Sequence, residues 1–393
     1  LIVITPLLEN GGKKYMEQTQ EINRVYGFLS EELDIPDSLF EKANLHYKSL
    51  GEYLSNYLKN YDIDIFPQGS MRLGTTIKPI NEEDDYDLDA VCKVNGNIYS
   101  PEHLKNLIGD VLKESDRYSS MLSDEEGKRC WTIEYSDNEN FHMDILPAIS
   151  ANSNTTELKI THKENGIYEY RSSDPEAYAT WFFNRQKFEY DKILNEAKFS
   201  QSVEELKRFR VRTTLQKTIQ ILKRYRDIQF ADDNTNSKPI SIIITTLVAQ
   251  VYTGNENIFE LINKFSNEYM NYIKVDENGD YRILNPINEK ENFADKWKIY
   301  PERKKAFFNW IDSVKSDLVT QMILEETTIS QKFEVLTNRL GKNTINNVIE
   351  RDAFMKVKNR ESGNLFISNN SNIAGFSNEK TDVKVREHTF YGN

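Results

Sequence analysis

Asp87 and Asp89, in the stretch NEEDDYDLDAVCKV, are carboxylates separated by a single residue that run straight into the apolar Ala90, Val91 and Cys92. The apolar run reads as buried strand. Side chains alternate along a strand, so Asp87 and Asp89 project from one face while Leu88 and Ala90 turn to the core. A solvated loop accounts for residues 82–85 but not for acids inside the strand. Two such close carboxylates repel unless positive charge sits between them. A divalent cation meets that need, and hard Mg2+ prefers oxygen ligands; Mn2+ is the alternative.

A third carboxylate, Asp144, stands in FHMDILPAI among Phe141, Met143, Ile145 and Leu146. Unpaired in such company, it would cost on the order of a few kcal/mol or lose its charge. It is tolerated beside the same metal cluster. Three carboxylates on neighbouring strands suit a two-metal site with ions about 4 Å apart. Upstream, FPQGSMRLGT supplies Gln68, Gly69 and Ser70. Glycine lets the backbone approach a phosphate, serine offers a hydroxyl, and the amides form an anion-binding concavity. A helix starting here adds a favourable dipole. An amide cradle, a D-x-D strand and a lone Asp on a later strand form a set for transferring a nucleotidyl group from a nucleoside triphosphate.

Each part has a plainer reading. D-x-D alone is an acidic surface strand or a structural Ca2+ loop, Asp144 alone a buried hydrogen-bonded carboxylate, and Gly-Ser alone a turn. Their order along one chain favours the site. His142 shares the face of Asp144 and reads as a structural histidine; the five histidines show no metal-ligand spacing.

These residues need a scaffold. Ser38 and Glu41 read as a capping box before the helical LFEKANLHYKSLGEYLSNYL. DIDIF, YDLDAVCKV, CWTIEY and FHMDILPAI read as strands between Asn, Gly, Pro and Ser loops. After ISANSNTTE the pattern turns helical. Asp174 and Pro175 fit N-cap and first helical turn, and Ser202 with Glu205 fits another capping box. Leu215, Ile219 and Leu222 form a stripe at helical spacing. SIIITTLVAQVY reads as a buried helix, with a strand as the alternative. The expected organisation is α+β. A nucleotidyltransferase lobe with its N-terminal helix covers residues 16–165, a helical lobe 166–360, and a polar tail 361–393. Met16 is the expected natural start.

Net charge over 393 residues is −12. That disfavours nonspecific nucleic-acid binding, and no obligatory nucleic acid is expected. A local field runs the other way: residues 207–226 carry Lys207, Arg208, Arg210, Arg212, Lys217, Lys223, Arg224 and Arg226 without an acidic residue. No apolar run is long enough to span a bilayer. Cys92 and Cys130 form no CxxC pair, which excludes a cysteine zinc site and fits a reducing cytoplasm.

GS, DYDLD and FHMDILPAI together resemble the DNA polymerase β-type nucleotidyltransferase superfamily. FPQGSMRLGT, SSDPEAYATWF, LQKTIQILKRYRD, KPISIIITTL and NPINEKENFADKW narrow the resemblance to the cGAS/DncV-like nucleotidyltransferases of bacterial CBASS anti-phage systems, over nearly the whole chain from Met16. The resemblance implies a polymerase β-type lobe with a mixed β-sheet, a helical C-terminal lobe and an active site in the cleft between them. It implies condensation of ribonucleoside triphosphates into a cyclic di- or trinucleotide second messenger, with a linear nucleotidyltransferase as the alternative. Gly69 and Ser70, beside Gln68, match the turn that contacts the triphosphate; Asp87, Asp89 and Asp144 match the metal triad. Lys223, with Lys217 as its alternative, and Ser241 match triphosphate contacts. Ile242 follows Ser241 where the family often stacks an aromatic ring on the base. The C-terminal HTFYGN resembles ends joined to targets by a ubiquitin-like conjugation machinery; a frayed terminus is the alternative.

Overall fold

In the computed structural model, the described residues are 9–81, 84–96, 98, 100–135, 141–152, 155–199 and 211–362. To these are added the backbone of three two-residue strands in 363–393. The Ser202–Glu205 box, Lys207, Arg208, Arg210 and the terminal HTFYGN lie outside them. The chain divides into two compact units, one of Leu1–Glu32 with Gln321–Asn393 and one of Leu33–Thr320.

The larger unit holds the chemistry. After α1 (Glu9–Leu33) come α2 (Asp37–Tyr57), β1 (Asp62–Pro67), the single turn α3 (Gly69–Leu73), β2 (Tyr86–Asn95) and α4 (Pro101–Lys113). β3 (Trp131–Tyr135), β4 (Phe141–Ser150), β5 (Leu158–Glu164) and β6 (Ile167–Ser173) complete the sheet, in the order β1-β2-β4-β5-β6 with β3 beside β4. β2 and β4 run parallel; the other pairs are antiparallel, so the sheet is mixed.

Alternation divides the sheet's two faces. Leu88, Ala90, Cys92 and Val94 of β2 join Met143 and Ile145 of β4 in one buried cluster. Leu50 and Leu54 of α2 and Leu104, Ile108 and Leu112 of α4 cover it. Val91, Leu146 and Ala148 belong to a separate apolar cluster with Leu158 and Ile160. By the same alternation, Asp87, Asp89 and Asp144 lie on the Val91 and Leu146 face, nearer the start of each strand. The acids and the core therefore share two strands without sharing a face.

The chain does not turn helical after ISANSNTTE. β5 and β6 form a hairpin first, and the sheet reaches Ser173. Asn165 and Gly166 both have positive φ, 52° and 79°, which is the turn an Asn-Gly pair favours between twisted strands. Mixed polar side chains hide these strands from an alternation test, since β6 is exposed or half-buried throughout. Ser38 and Glu41 likewise do not cap α2: the helix starts at Asp37 after Pro36, with no side-chain cap bond.

Helices α5 (Pro175–Phe199), α6 (Thr214–Gln229), α7 (Ser241–Val251), α8 (Ile258–Glu268) and α9 (Pro301–Lys315) follow; between α8 and α9 sits a small hairpin of β7 (Lys274–Val275) and β8 (Tyr281–Arg282). Asp174 caps α5 as expected, accepting the Ala177 N–H at 3.0 Å. α6 starts with a true capping box, Thr213 and Gln216. Leu215, Ile219, Leu222, Ile244, Leu247, Phe259, Phe307 and Trp310 are fully buried, so SIIITTLVAQVY is the buried helix and not a strand.

The smaller unit contains most of α1 with α10 (Gln321–Ile323), α11 (Ile329–Leu340) and α12 (Lys342–Glu361). Buried Asp352 forms ion pairs with Arg24 Nη2 at 2.9 Å and Lys356 Nζ at 2.8 Å. β9 (Phe366–Ile367) pairs with β10 (Ile373–Ala374) and β11 (Val383–Lys384) in the polar tail. Among the described residues no helix is long and apolar enough to cross a membrane.

Candidate active site

Parallel register between β2 and β4 sets Asp89 opposite Asp144 and Asp87 opposite His142. A slip of one residue in either strand would send that strand's two side chains of the set to the core face. Half-buried Asp89 has its pKa pushed up to about 6, first by burial and then by the charges of Asp144 and Asp87. Its main-chain carbonyl is fixed from two sides, by the Gln68 N–H at 2.9 Å and the Tyr47 hydroxyl at 3.2 Å.

The other two acids have side-chain partners. Thr132 Oγ1, opposite on β3, donates to Asp144 Oδ1 at 2.5 Å. Asp87 bonds His142 Nε2, while His142 Nδ1 lies 3.7 Å from Asp85. That bond lowers the Asp87 pKa and raises His142 to about 9. His142 is therefore tied into the acidic cluster.

As these side chains stand, among the described residues no three His, Cys, Asp or Glu are gathered into a ready ligand shell. The donor chemistry nevertheless suits a hard divalent cation. Three carboxylates share a strand end, and the half-buried middle one is short of positive charge. A cation held by all three would require Asp87 to part from His142.

Between β1 and β2 lies the turn that begins α3. Gly69 has φ +61°, and a β-carbon there would overlap Asp89 Oδ2 and lie 2.9 Å from its Cγ. Only glycine allows the backbone this close to the acid. Ser70 Oγ accepts the Thr76 hydroxyl at 3.0 Å.

α6 holds the segment that follows. Gln216 Nε2 donates to the Leu73 carbonyl at 2.8 Å, Lys223 Nζ to Thr75 at 3.0 Å and Gln220 Nε2 to Thr76 at 3.0 Å. Arg224 Nη2 reaches the Lys78 and Pro79 carbonyls at 2.6 and 3.0 Å. Buried Lys223 has its pKa lowered to about 8, mainly by burial and next by Arg226, with Asp87 and Asp89 opposing. Arg226 Nη1 donates to Ser241 Oγ at 2.7 Å in the first turn of α7. The basic run is thus not an exposed field over its described part: Lys223, Arg224 and Arg226 are buried and bonded.

A cavity of about 780 Å³ opens beside Gln68, Gly69 and Asp89, within the range of ligand sites. Arg72, Arg129, Arg171, Lys238, Lys290 and Lys296 supply positive charge to its lining. Asp174, Glu291 and Asp295 join Asp89 as the acidic lining residues. Burial raises the pKa of Glu291; Asn285 and Arg129 oppose the rise. Arg72 lies in the FPQGSMRLGT segment; the other cations come from separate parts of the chain and form no local motif.

Known proteins resemble this chain in sequence and fold. Residues 21–185 match the Second Messenger Oligonucleotide or Dinucleotide Synthetase domain. The chain is 29% identical to a c-di-GMP synthase of Roseivirga ehrenbergii over 93% of its own length and 96% of the relative's. It is 23% identical to the cyclic dinucleotide synthase CdnG of Bradyrhizobium diazoefficiens, with 94% of each chain covered. The structure of that CdnG in complex with GTP superposes with a TM-score of 0.69 at 19% identity, covering 85% of this chain and 99% of that one. GTP-bound Vibrio cholerae DncV gives 0.52 at 14% identity, covering 85% and 90%.

Proposed function

We propose that this chain, which belongs to the cGAS/DncV-like nucleotidyltransferases, joins two ribonucleoside triphosphates into a cyclic dinucleotide second messenger and releases pyrophosphate. One observation carries the reading: Asp89 and Asp144 stand in register on parallel strands against the left-handed Gly69 turn, where a cationic cavity opens. Full-length similarity to two cyclic dinucleotide synthases supports it. Service in anti-phage defence and a cytoplasmic location accord with that family.

Asp87, Asp89 and Asp144 would hold Mg2+, or Mn2+ in its place. When bound, the cation supplies positive charge to the α-phosphate and favours the ionised ribose hydroxyl. Asp144, oriented by Thr132, takes the proton of the attacking hydroxyl. The new O–P bond forms as the bond to the β-phosphate breaks, and pyrophosphate leaves with that bonding pair. A second transfer within the linear intermediate closes the ring. Gln68, Gly69 and Ser70 present amides and a hydroxyl to the triphosphate. Lys223 and Ser241 would reach the triphosphate from α6 and α7 only on leaving the Thr75 carbonyl and Arg226, which hold them here. Preorganised charge of this kind does most of the work in phosphoryl chemistry.

The test is incubation with the four labelled ribonucleoside triphosphates and Mg2+, then phosphatase and mass spectrometry. A phosphatase-resistant cyclic dinucleotide that the Asp87→Ala, Asp89→Ala double variant cannot make is the expected result. A phosphatase-sensitive product would favour the linear alternative. C-terminal attachment by a ubiquitin-like machinery is a separate proposal, tested by searching cells for an adduct linked through Asn393.

A further inference from the structure

The loop ILNPINEKENFA, residues 283–294, is built to hold one carboxylate still. The Asn285 N–H bonds the Glu291 carbonyl at 2.9 Å, and the Glu291 N–H bonds Asn288 at 3.0 Å. Asn285, only 1% exposed, donates its side-chain amide to Glu291 Oε2 at 2.8 Å while its Oδ1 accepts the Ile287 N–H at 3.0 Å. Ser173 at the end of β6 gives Glu291 Oε1 a long 3.4 Å contact. Asn292 ties the loop's far side, accepting the Ile283 and Ala294 N–H groups at 3.0 Å each.

Glu291 faces the cavity described above. A fixed carboxylate is a poor neighbour for a triphosphate, so its use lies with an uncharged part of the substrate. The other acidic lining residues are spoken for or outward. Asp174 accepts the Ala177 N–H and the Thr156 hydroxyl, Asp89 belongs to the acidic cluster, and Asp295 is exposed. Among the described residues Glu291 has these two side-chain hydrogen-bond partners, and each carboxylate oxygen can accept more than one hydrogen bond.

Two adjacent acceptors require two adjacent donors. Guanine offers them on its Watson–Crick edge, N1–H beside the N2 amine. Adenine and cytosine place an acceptor beside their amine, and uracil has a single N–H between two carbonyls. We infer that Glu291, oriented by Asn285, is the specificity-determining residue that reads a guanine base in this cavity. The inference rests on the nucleotidyltransferase reading above and deepens it.

The experiment measures kcat/KM of the full chain with Mg2+ and GTP, ITP or ATP, for wild type and Glu291→Gln. ITP lacks the N2 amine. Wild type should use GTP about tenfold better than ITP, in line with one lost hydrogen bond at a polar site. In E291Q the ITP penalty should vanish, and the ratio of ATP to GTP use should rise about 100-fold, because a glutamine amide matches adenine's donor and acceptor. Equal loss with all three nucleotides would make Glu291 a structural residue and overturn the inference. If E291Q does not fold, the wild-type comparison decides: equal use of GTP and ITP overturns it. A wild type that turns over no nucleotide at all would instead strike the proposed function.

Discussion

Gly69 leaves the space that the Asp89 carboxylate fills: a β-carbon there would overlap Oδ2 and lie 2.9 Å from Cγ. The turn proposed to hold phosphate and the acid proposed to hold metal are therefore one packed object.

Gly69→Ala strains both φ and this contact. It should cost about 1–3 kcal/mol of stability and lower product formation more than about 100-fold. Urea melts and a pyrophosphate-release assay measure the two. Wild-type turnover in the variant would uncouple the turn from the carboxylate.

Asp89→Asn removes the charge that burial and Asp144 oppose. In EDTA the variant should melt about 1–3 °C above wild type. Adding Mg2+ should raise the wild-type Tm and leave the variant unmoved. An equal Mg2+ shift in both would place the ion elsewhere.

Thr132→Val keeps the strand shape and deletes the donor to Asp144 Oδ1. Loss of a partner that orients a metal-binding carboxylate typically costs about 10–100-fold. The expected result is such a fall in kcat/KM with a higher Mg2+ requirement. Unchanged Mg2+ dependence would argue that Thr132 only packs.

Lys223 gives a pH signature. Its pKa falls from 10.5 to about 8 on folding, so between those values the unfolded chain carries a proton the folded chain lacks. Stability from this group is therefore lowest below pH 8 and climbs toward pH 10.5, by up to about 3 kcal/mol. The stability difference between wild type and Lys223→Met should change with that slope across pH 8 to 10.5. A flat difference would mean the lysine is not buried as a cation.

The acidic pair was legible in sequence because a strand has period two. Once YDLDAVCKV is a strand, Asp87 and Asp89 share a face and Leu88 and Ala90 must oppose them. The register that brings Asp144 opposite Asp89 was not legible, since it is set by pairing between segments about 50 residues apart. Asn165-Gly166 was a readable hairpin signal, masked by the mixed polarity of β5 and β6. Burial of Lys223, Arg224 and Arg226 was hidden for another reason: they satisfy carbonyls of residues 75–79 and Pro239, and such long-range acceptors leave no trace in local spacing. Arg129, Arg171, Lys238 and Glu291 meet at the cavity only through the fold.

Side chains of Gln216, Gln220, Lys223 and Arg224 fasten the carbonyls of Leu73, Thr75, Thr76, Lys78 and Pro79. The segment from Leu73 to Pro79 is thus braced before any nucleotide arrives. Room for a linear intermediate in place of two separate nucleotides is then to be sought in parts of the cavity that α6 does not brace.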